Sequence, residues 1–490
     1  MSSSSKAFFP FRVLFLAAMA SLFVPGPSVW GRGSKVKMLT STVAGISLER
    51  TEVKAVRADG KAGRVVRLNP EERFQTMDGF GAAITYSSAY NLLKMKPDDR
   101  HRFLEETYSK KKGMGFSYAR VSIGCSDFSS TEYTCCDKPG LENFSLHTDE
   151  TDYVIPVLKE ILRINPELKI IGSPWTCPRW MKVKDLESLE PYESWTDGHI
   201  NPKYYQDYAD YFVKWIRAFE AEGIPIYAVT PQNEPLNRGN CASTYVSWKE
   251  EAELLRVMAP TFKKAGLKTK IYAFDHNYNY DNIGSEKNYP INIYSMLNGT
   301  EGAEYVVGAA YHNYGGSYEE LDHIHRQNPE KELIFSEASI GTWNNGRDLG
   351  KSLLRDVNEL ALATVNRWCK AVVVWNLMLD TKRGPNLDGG CQTCYGAVDI
   401  DAENYRTIHR NSHYYAIAHL SAVVRPDAVR IGCGETETDG LTSAAFQNKD
   451  GSYALVFCNS RNESRTLCVT DGQKQFSLQI PARGVVSCLW

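Results

Sequence analysis

The sequence predicts an α/β protein: a (β/α)8 TIM barrel with an attached antiparallel β-sandwich. Three observations carry this. Between residues 74 and 418, eight short β-rich runs alternate with stretches of helical periodicity, the pattern of βα units around a parallel sheet. After about residue 420 the helical pattern stops, and short runs are separated by Asp439-Gly440, Asp450-Gly451 and Asp471-Gly472, turn signals between antiparallel strands. Residues 35–70 alternate polar and apolar, as in Arg64-Val65-Val66-Arg67-Leu68. They read as strands that join the sandwich, because the barrel already has its eight.

In chain order, Lys6 and Arg12 flank an apolar run over 13–24. That run is too short to span a bilayer and fits the apolar centre of a signal peptide, so residues 1–31 are expected to be removed on export. The mature chain should then be secreted, periplasmic or attached at the cell surface, with no integral membrane segment. Residues 32–73 are the N-terminal sandwich strands, 74–418 the barrel and 419–490 the C-terminal sandwich. The eight barrel strands are expected at 79–85, 118–123, 169–173, 226–231, 270–274, 306–311, 332–336 and 371–375. Tyr205, Tyr208, Tyr211, Phe212, Trp215, Ile216 and Phe219 recur at threes and fours, as one buried helix face does. Val154, Val157, Leu158, Ile161 and Leu162 do the same, and Pro166 stops that helix. Sandwich strands are expected at 443–446, 453–459, 465–470, 475–480 and 485–490.

Composition narrows the function. Hydrophobic residues make up 43% of the 490 and charged residues 23%, which excludes a disordered or fibrous chain. The net charge of −2 lacks the basic footprint that phosphate backbones require, so nucleic acid is excluded as a partner. Twelve cysteines in an exported chain permit disulfides. Cys391-Gln392-Thr393-Cys394 has the spacing of a zinc half-site but no second pair nearby, and reads as a local disulfide or two plain thiols. His323 and His325 diverge on a helix and read as a solvated face rather than a metal site.

Barrel chemistry sits at the C-terminal ends of the strands. Strand 4 runs into Gln232-Asn233-Glu234-Pro235 and strand 7 into Ser336-Glu337-Ala338, which puts two carboxylates across one cavity. Glycosidic bond cleavage needs such a pair, one to protonate the leaving oxygen and one to attack the anomeric carbon or activate water. Around them at strand ends stand Arg120, Asp127, Trp175, Asn233, His312, Tyr314 and Trp375, a polar ring with tryptophan floors suited to a sugar. No Gly-x-Ser-x-Gly elbow and no phosphate-binding glycine loop after strand 1 are present.

These residues resemble those of glycoside hydrolase family 30, which includes glucosylceramidases and endo-β-1,6-glucanases. The similar segments are Asp78-Gly79-Phe80-Gly81-Ala82-Ala83, Arg120-Val121-Ser122, Ser126-Asp127-Phe128-Ser129, Gly172-Ser173-Pro174-Trp175-Thr176, Gln232-Asn233-Glu234-Pro235, Ser336-Glu337-Ala338 and Trp375-Asn376-Leu377. The resemblance is closest to bacterial β-1,6-glucanases, through Tyr133-Thr134-Cys135-Cys136-Asp137, Phe274-Asp275-His276-Asn277-Tyr278-Asn279-Tyr280 and Gly389-Gly390-Cys391-Gln392-Thr393-Cys394-Tyr395-Gly396. It implies a retaining hydrolase without metal or cofactor, with Glu234 as acid/base and Glu337 as nucleophile. It places Arg120, Asp127, Trp175, Asn233, His312, Tyr314 and Trp375 against the sugar. Three readings follow: a β-1,6-glucan hydrolase, a glucosylceramidase acting on a glucosylated lipid, and a carbohydrate-binding barrel without turnover. For the retaining enzyme the carboxyl groups should lie about 5–5.5 Å apart. Glu234 should carry the raised pKa and Glu337 the charge.

Overall fold

The computed structural model describes residues 35–59, 65–239, 241–278, 284–434 and 440–490. The segment expected to be a signal peptide lies outside the described residues. Among the described residues no helix is long and apolar enough to cross a membrane.

Eight parallel strands close into a barrel. In order they are Gly79–Ala83, Tyr118–Ser122, Lys169–Ser173, Ala228–Val229, Lys270–Asn277, Val306–His312, Glu332–Glu337 and Cys369–Asn376, here strands 1 to 8. All eight fall where the apolar runs place them. Tyr118, Ile171, Tyr272, Ala310, Ile334 and Val373 point inward and fill the barrel with small and large side chains in alternation. The predicted helix faces are also present. In the helix Tyr205–Ala221, Tyr208, Tyr211, Phe212, Trp215, Ile216 and Phe219 are buried. Trp215 packs so closely on strand 3 that a Cβ at Gly172 would lie 2.7 Å from its ring, which is why that strand position has no side chain.

The floor of the barrel, at the N-terminal ends of the strands, is closed by charge. Glu332 accepts from Lys370 (2.6 Å), from Lys270 (2.9 Å) and from the Tyr272 hydroxyl (2.5 Å). Asp78 accepts from Lys169 (2.7 Å) and the Tyr227 hydroxyl (3.0 Å). These ion pairs are half-buried and shared among several partners, the arrangement in which a salt bridge contributes to stability rather than being screened away.

The second module is a sandwich of two sheets joined through the long strand Val65–Thr76. The larger sheet contains Lys35–Thr42, which pairs antiparallel with Gly484–Leu489. Leu441–Gln447 and Tyr453–Asn459 continue it. Arg465–Thr470 and Lys474–Ile480 belong to the smaller sheet. The N-terminal strands therefore do join the C-terminal ones. Two features were not anticipated. Val429–Cys433 is an additional strand, and residues 65–67 pair parallel with 468–470 in a sheet system otherwise antiparallel. The last barrel helix, Ser412–Ser421, runs past residue 418.

Candidate active site

Glu337 is the last residue of strand 7, and Glu234 follows strand 4 with φ of 48°. A carboxylate oxygen of each, together with a ring nitrogen of His312, lie within 4.8 Å of one another. So close an approach of the nearest oxygens favours a retaining pair, whose carboxyl groups lie about 5–5.5 Å apart, over an inverting pair of about 6.5–9.5 Å.

Behind the pair lies a buried charge network. The Arg120 side chain, at 0% exposure, donates through Nη1 to Glu337, and through Nη2 to Asn233 Oδ1 (2.7 Å) and Asp275 Oδ2 (2.8 Å). Its guanidinium also faces the rings of Trp175 and Trp375, 5.0 and 5.4 Å from their centroids. Those two rings stack with centroids 5.1 Å apart and form the floor beside the carboxylates. The Tyr314 hydroxyl donates to Glu337 Oε1 at 2.9 Å, while the ring is nearly half exposed. Asp127 is partly exposed and is held from the loop after strand 8. Its Oδ2 accepts from the Cys391 amide (3.4 Å), and its carbonyl from Leu387 (2.9 Å). Cys391 and Cys394 form a disulfide that closes this loop, so both thiols of the possible zinc half-site are used.

Two of the expected sugar contacts are located elsewhere. Arg120 and His312 have no exposed side-chain surface and sit behind the carboxylates, not on the cleft wall. His312 is engaged at both ring nitrogens, Nδ1 with Glu234 Oε1 (3.3 Å) and Nε2 with Asp275 Oδ1 (3.1 Å). Asn233, Trp175 and Trp375 are almost buried. Of the expected sugar contacts, Asp127 and Tyr314 present the most surface. His323 and His325 do diverge: His323 meets Asn288, and His325 stacks on Trp368.

The expected order of the two carboxyl pKa values is reversed. Burial alone would raise Glu234, but the bond from His312, the nearby charges of His276 and His312, and the Asn237 amide (2.7 Å) outweigh it and hold the carboxyl at about 2. Glu337 is raised above its ordinary value, first by burial and then by Glu234 and Asp275, against the pull of His312 and Arg120. With Arg120 and Tyr314 both donating to it, Glu337 is placed as an acceptor, the role of a carboxylate. Asp127 is pushed up to about 7 by burial and by the charge of Glu337. Glu234, His312 and Glu337 have the spacing of a metal site, but their atoms already engage one another and their neighbours: Glu337 accepts from Arg120 and Tyr314, and His312 Nδ1 meets Glu234 Oε1.

Three residues not among the expected site residues organise the site, although Asp275 lies in one of the segments that carry the resemblance. Asp275, fully buried, accepts from Arg120, His312, Ser173 (3.1 Å), Thr230 (2.8 Å) and Ser336 (2.6 Å). It and Phe274 have φ of 54° and 74°, at a register shift between strands 5 and 6. A bulky residue in the left-handed region is strained, and such strain persists where neighbours enforce it. Here the enforcing residue is Glu251, buried on the helix Trp248–Lys264. It accepts from the Phe274 amide (3.0 Å) and the Tyr289 hydroxyl (2.8 Å). The Asp275 carbonyl in turn accepts from the Glu234 amide (3.0 Å), so the strained turn positions the acid on strand 4. Lys182 is the third. Its ammonium is buried among the carbonyls of Ser194, Trp195, Asp197 and Ser243 at 2.7–3.3 Å, and it ties the loop after strand 3 to the loop after strand 4.

Known proteins share this architecture. The solved structure titled "The endo-beta1,6-glucanase BT3312" superposes with a TM-score of 0.89 at 59% identity, over 93% of this chain and 99% of that one. The endo-1,6-beta-D-glucanase of Neurospora crassa is 32% identical over 410 residues, 80% of each chain. The lysosomal acid glucosylceramidase of Mus musculus is 26% identical over 87% of this chain and 84% of that one. The model of the glycosyl hydrolase family 30 TIM-barrel domain matches residues 77–424, and that of the family's beta sandwich domain matches residues 427–488. With both modules matched in order, and two carboxylates facing each other at the ends of strands 4 and 7, the chain belongs to glycosyl hydrolase family 30.

Proposed function

We propose that this chain hydrolyses β-1,6-glucan with retention of anomeric configuration, with Glu337 as nucleophile and Glu234 as acid/base. The observation that supports the proposal most is the approach of the two carboxylates, one oxygen of each within 4.8 Å of the other, as a retaining pair requires. Arg120 and Tyr314 orient Glu337 for attack at the anomeric carbon, and Glu234 protonates the departing oxygen and later takes a proton from water. In this reading Asn233, fixed through Oδ1 by Arg120, meets the sugar 2-hydroxyl. Asp127 accepts from hydroxyls at the far end of the ring, over the Trp175–Trp375 floor.

The β-1,6-glucan substrate is supported by the 59% identity to a protein titled an endo-β1,6-glucanase and by the fungal relatives of that name. Glucosylceramide is the second reading, supported by relatives of 25–28% identity. A binding barrel without turnover is disfavoured by the intact, hydrogen-bonded carboxylate pair. Export is part of this proposal, supported by the apolar run over 13–24, and N-terminal sequencing of the mature protein tests it. The deciding experiment incubates the protein with linear β-1,6-glucan and, in parallel, glucosylceramide. Early products are read by proton NMR for anomeric configuration and by chromatography for length. Oligosaccharides released first as the β-anomer are expected. An α-anomer, or turnover of the lipid alone, would overturn the reading.

A further inference from the structure

We infer that the disulfide between Cys391 and Cys394 is a positioning element of the sugar site: it fixes Asp127 relative to the segment that carries Glu337, and opening it weakens sugar binding. This rests on the proposed contact of Asp127 with the sugar.

The turn from Cys391 to Cys394 is anchored at both ends to parts of the site. The first anchor is Asp127, in the loop after strand 2. The Cys391 amide donates to Asp127 Oδ2 (3.4 Å), and the Leu387 amide donates to the Asp127 carbonyl (2.9 Å). Gly390 packs so near that a Cβ there would come within 2.7 Å of the Asp127 Cβ. The second anchor is the segment that leaves Glu337. Cys394–Tyr395 pairs antiparallel with Ile340–Gly341, and the Thr393 carbonyl accepts from the Thr342 amide (3.0 Å). A Cβ at Gly341 would collide with the Thr393 carbonyl. Both anchors are thus approaches that a side chain would block.

The disulfide joins the two anchors directly. Apart from it, the backbone path between them runs through Gln392 and Thr393, which are both exposed. Residues 381–393 run as loop and turn, and the bond from Gln392 Nε2 to the Leu387 carbonyl (2.8 Å) lies at the surface, in competition with water. An amide bond of 3.4 Å is near the limit of reach, so a small displacement of Cys391 breaks it. That loss matters to the acid. Burial and the charge of Glu337 work against the Asp127 carboxylate, and the Cys391 amide works for it.

The bond is also accessible. Cys391 is partly exposed while Cys394 is buried, so a small reductant reaches the pair from the Cys391 side. The other ten cysteines are free, so among the described residues this is the one disulfide to open.

The test opens the bond in two ways on the full chain. Dithiothreitol gives the two sulfurs two electrons and two protons and leaves as its own cyclic disulfide. The double variant Cys391→Ser, Cys394→Ser removes the bond without a reductant. Kinetics are read at pH 8 on an aryl β-glucoside with a good leaving group. KM should rise about 2- to 12-fold, the worth of one ordinary hydrogen bond, with a smaller change in kcat. Reoxidation of the reduced parent should restore KM. The same measurements on Asp127→Ala separate positioning from general loosening. Because the disulfide acts through Asp127, opening it in that background should change KM by less than about twofold. An unchanged KM in the parent, or an equal rise in both backgrounds, would overturn the proposal.

Hydrogen exchange without substrate reads the positioning itself. The amides of Leu387 and Thr342, bonded to Asp127 and Thr393, should exchange faster once the bond is open. Faster exchange confined to 391–394 would mean that the disulfide staples only its own turn, which also overturns the proposal. If exchange quickens at both anchors while the parent protein cleaves no β-glucoside, the proposed function fails and the positioning of Asp127 stands.

Discussion

The Asp275→Asn substitution tests the buried network most directly. Asp275 has no exposed surface, is in contact with Arg120 at 2.8 Å, and accepts from His312 and three hydroxyls. An asparagine of the same shape turns two hydrogens toward groups that donate, and leaves Arg120 with Glu337 as its one acidic partner at that distance. Removing one partner of a buried ion pair costs about 3–5 kcal/mol, because the remaining charge stays desolvated. Over 490 residues the unfolding entropy is about 1 kcal/mol per degree, so the melting temperature should fall by about 3–5 °C. Scanning calorimetry from pH 3 to 8 measures this and carries a sign. Burial works against the Asp275 carboxylate, but Arg120 and His312 hold its pKa far below the ordinary value. A depressed pKa contributes stability that is present above the unfolded-state value of about 4 and lost as the pH falls toward the folded one. The gap between parent and variant should therefore be full at pH 7 and narrow below pH 4. A variant that melts within 1 °C of the parent at pH 7 would refute the claim that Asp275 sustains the network. So would a gap that widens in acid.

The remaining predictions concern the cleft and its walls. Glu337→Gln should cut turnover by several orders of magnitude. Unlike Asp275, Glu337 has its pKa raised by burial, so its charge costs stability and removing it should not lower the melting temperature at pH 7. A 2-fluoro-glucoside with a good leaving group should label Glu337, and peptide mapping that finds the label on Glu234 would reverse the roles. Above about pH 7, where its carboxyl is ionised, Asp127→Asn removes a charged acceptor worth about 1.5–3 kcal/mol, so kcat/KM at pH 8 should fall roughly 10- to 150-fold. Burial and Glu337 raise Asp127 to about 7, so the carboxylate's cost to stability is absent below about pH 4 and complete above about pH 7. The asparagine variant should accordingly melt higher than the parent at pH 8 and at the same temperature at pH 4. Lys182→Met leaves four carbonyls without their shared donor. KM on glucan should rise more than kcat falls, and an unchanged KM would mean that the two loops are held without it.

What was legible in the sequence was whatever repeats or sits at a fixed place in a repeating unit. The eight barrel strands are continuous apolar runs, and Glu234 and Glu337 follow two of them, so their facing positions come from counting. The networks behind them are not periodic. Strand 5 reads as ending at Phe274, yet it continues to Asn277 through two left-handed residues, and Asp275 enters the site at that turn. No residue type signals a left-handed phenylalanine, although an acid at the end of a barrel strand was a signal available to find it. Glu251 and Lys182 look like the solvated faces of ordinary segments, since a charged residue held inside by backbone partners has no signature of its own. His312 was identifiable as a residue of the site, but its orientation was not. That orientation is what reversed the order of the two carboxyl pKa values.

The pairing of Lys35–Thr42 with Gly484–Leu489 has a consequence for how the chain is made. Roughly 440 residues separate the partners, so at about 5–20 residues per second the first strand leaves the ribosome roughly 20 to 90 s before its neighbour exists. During that time it can pair with Glu49–Lys54 on one side, and its other edge offers unpaired backbone groups to any passing strand. The barrel, whose strands all lie between, can close first. Loss of the last six residues of the sheet would then leave an intact barrel on a frayed, self-associating sandwich, and the damage would appear as aggregation of new chains rather than as a slower enzyme.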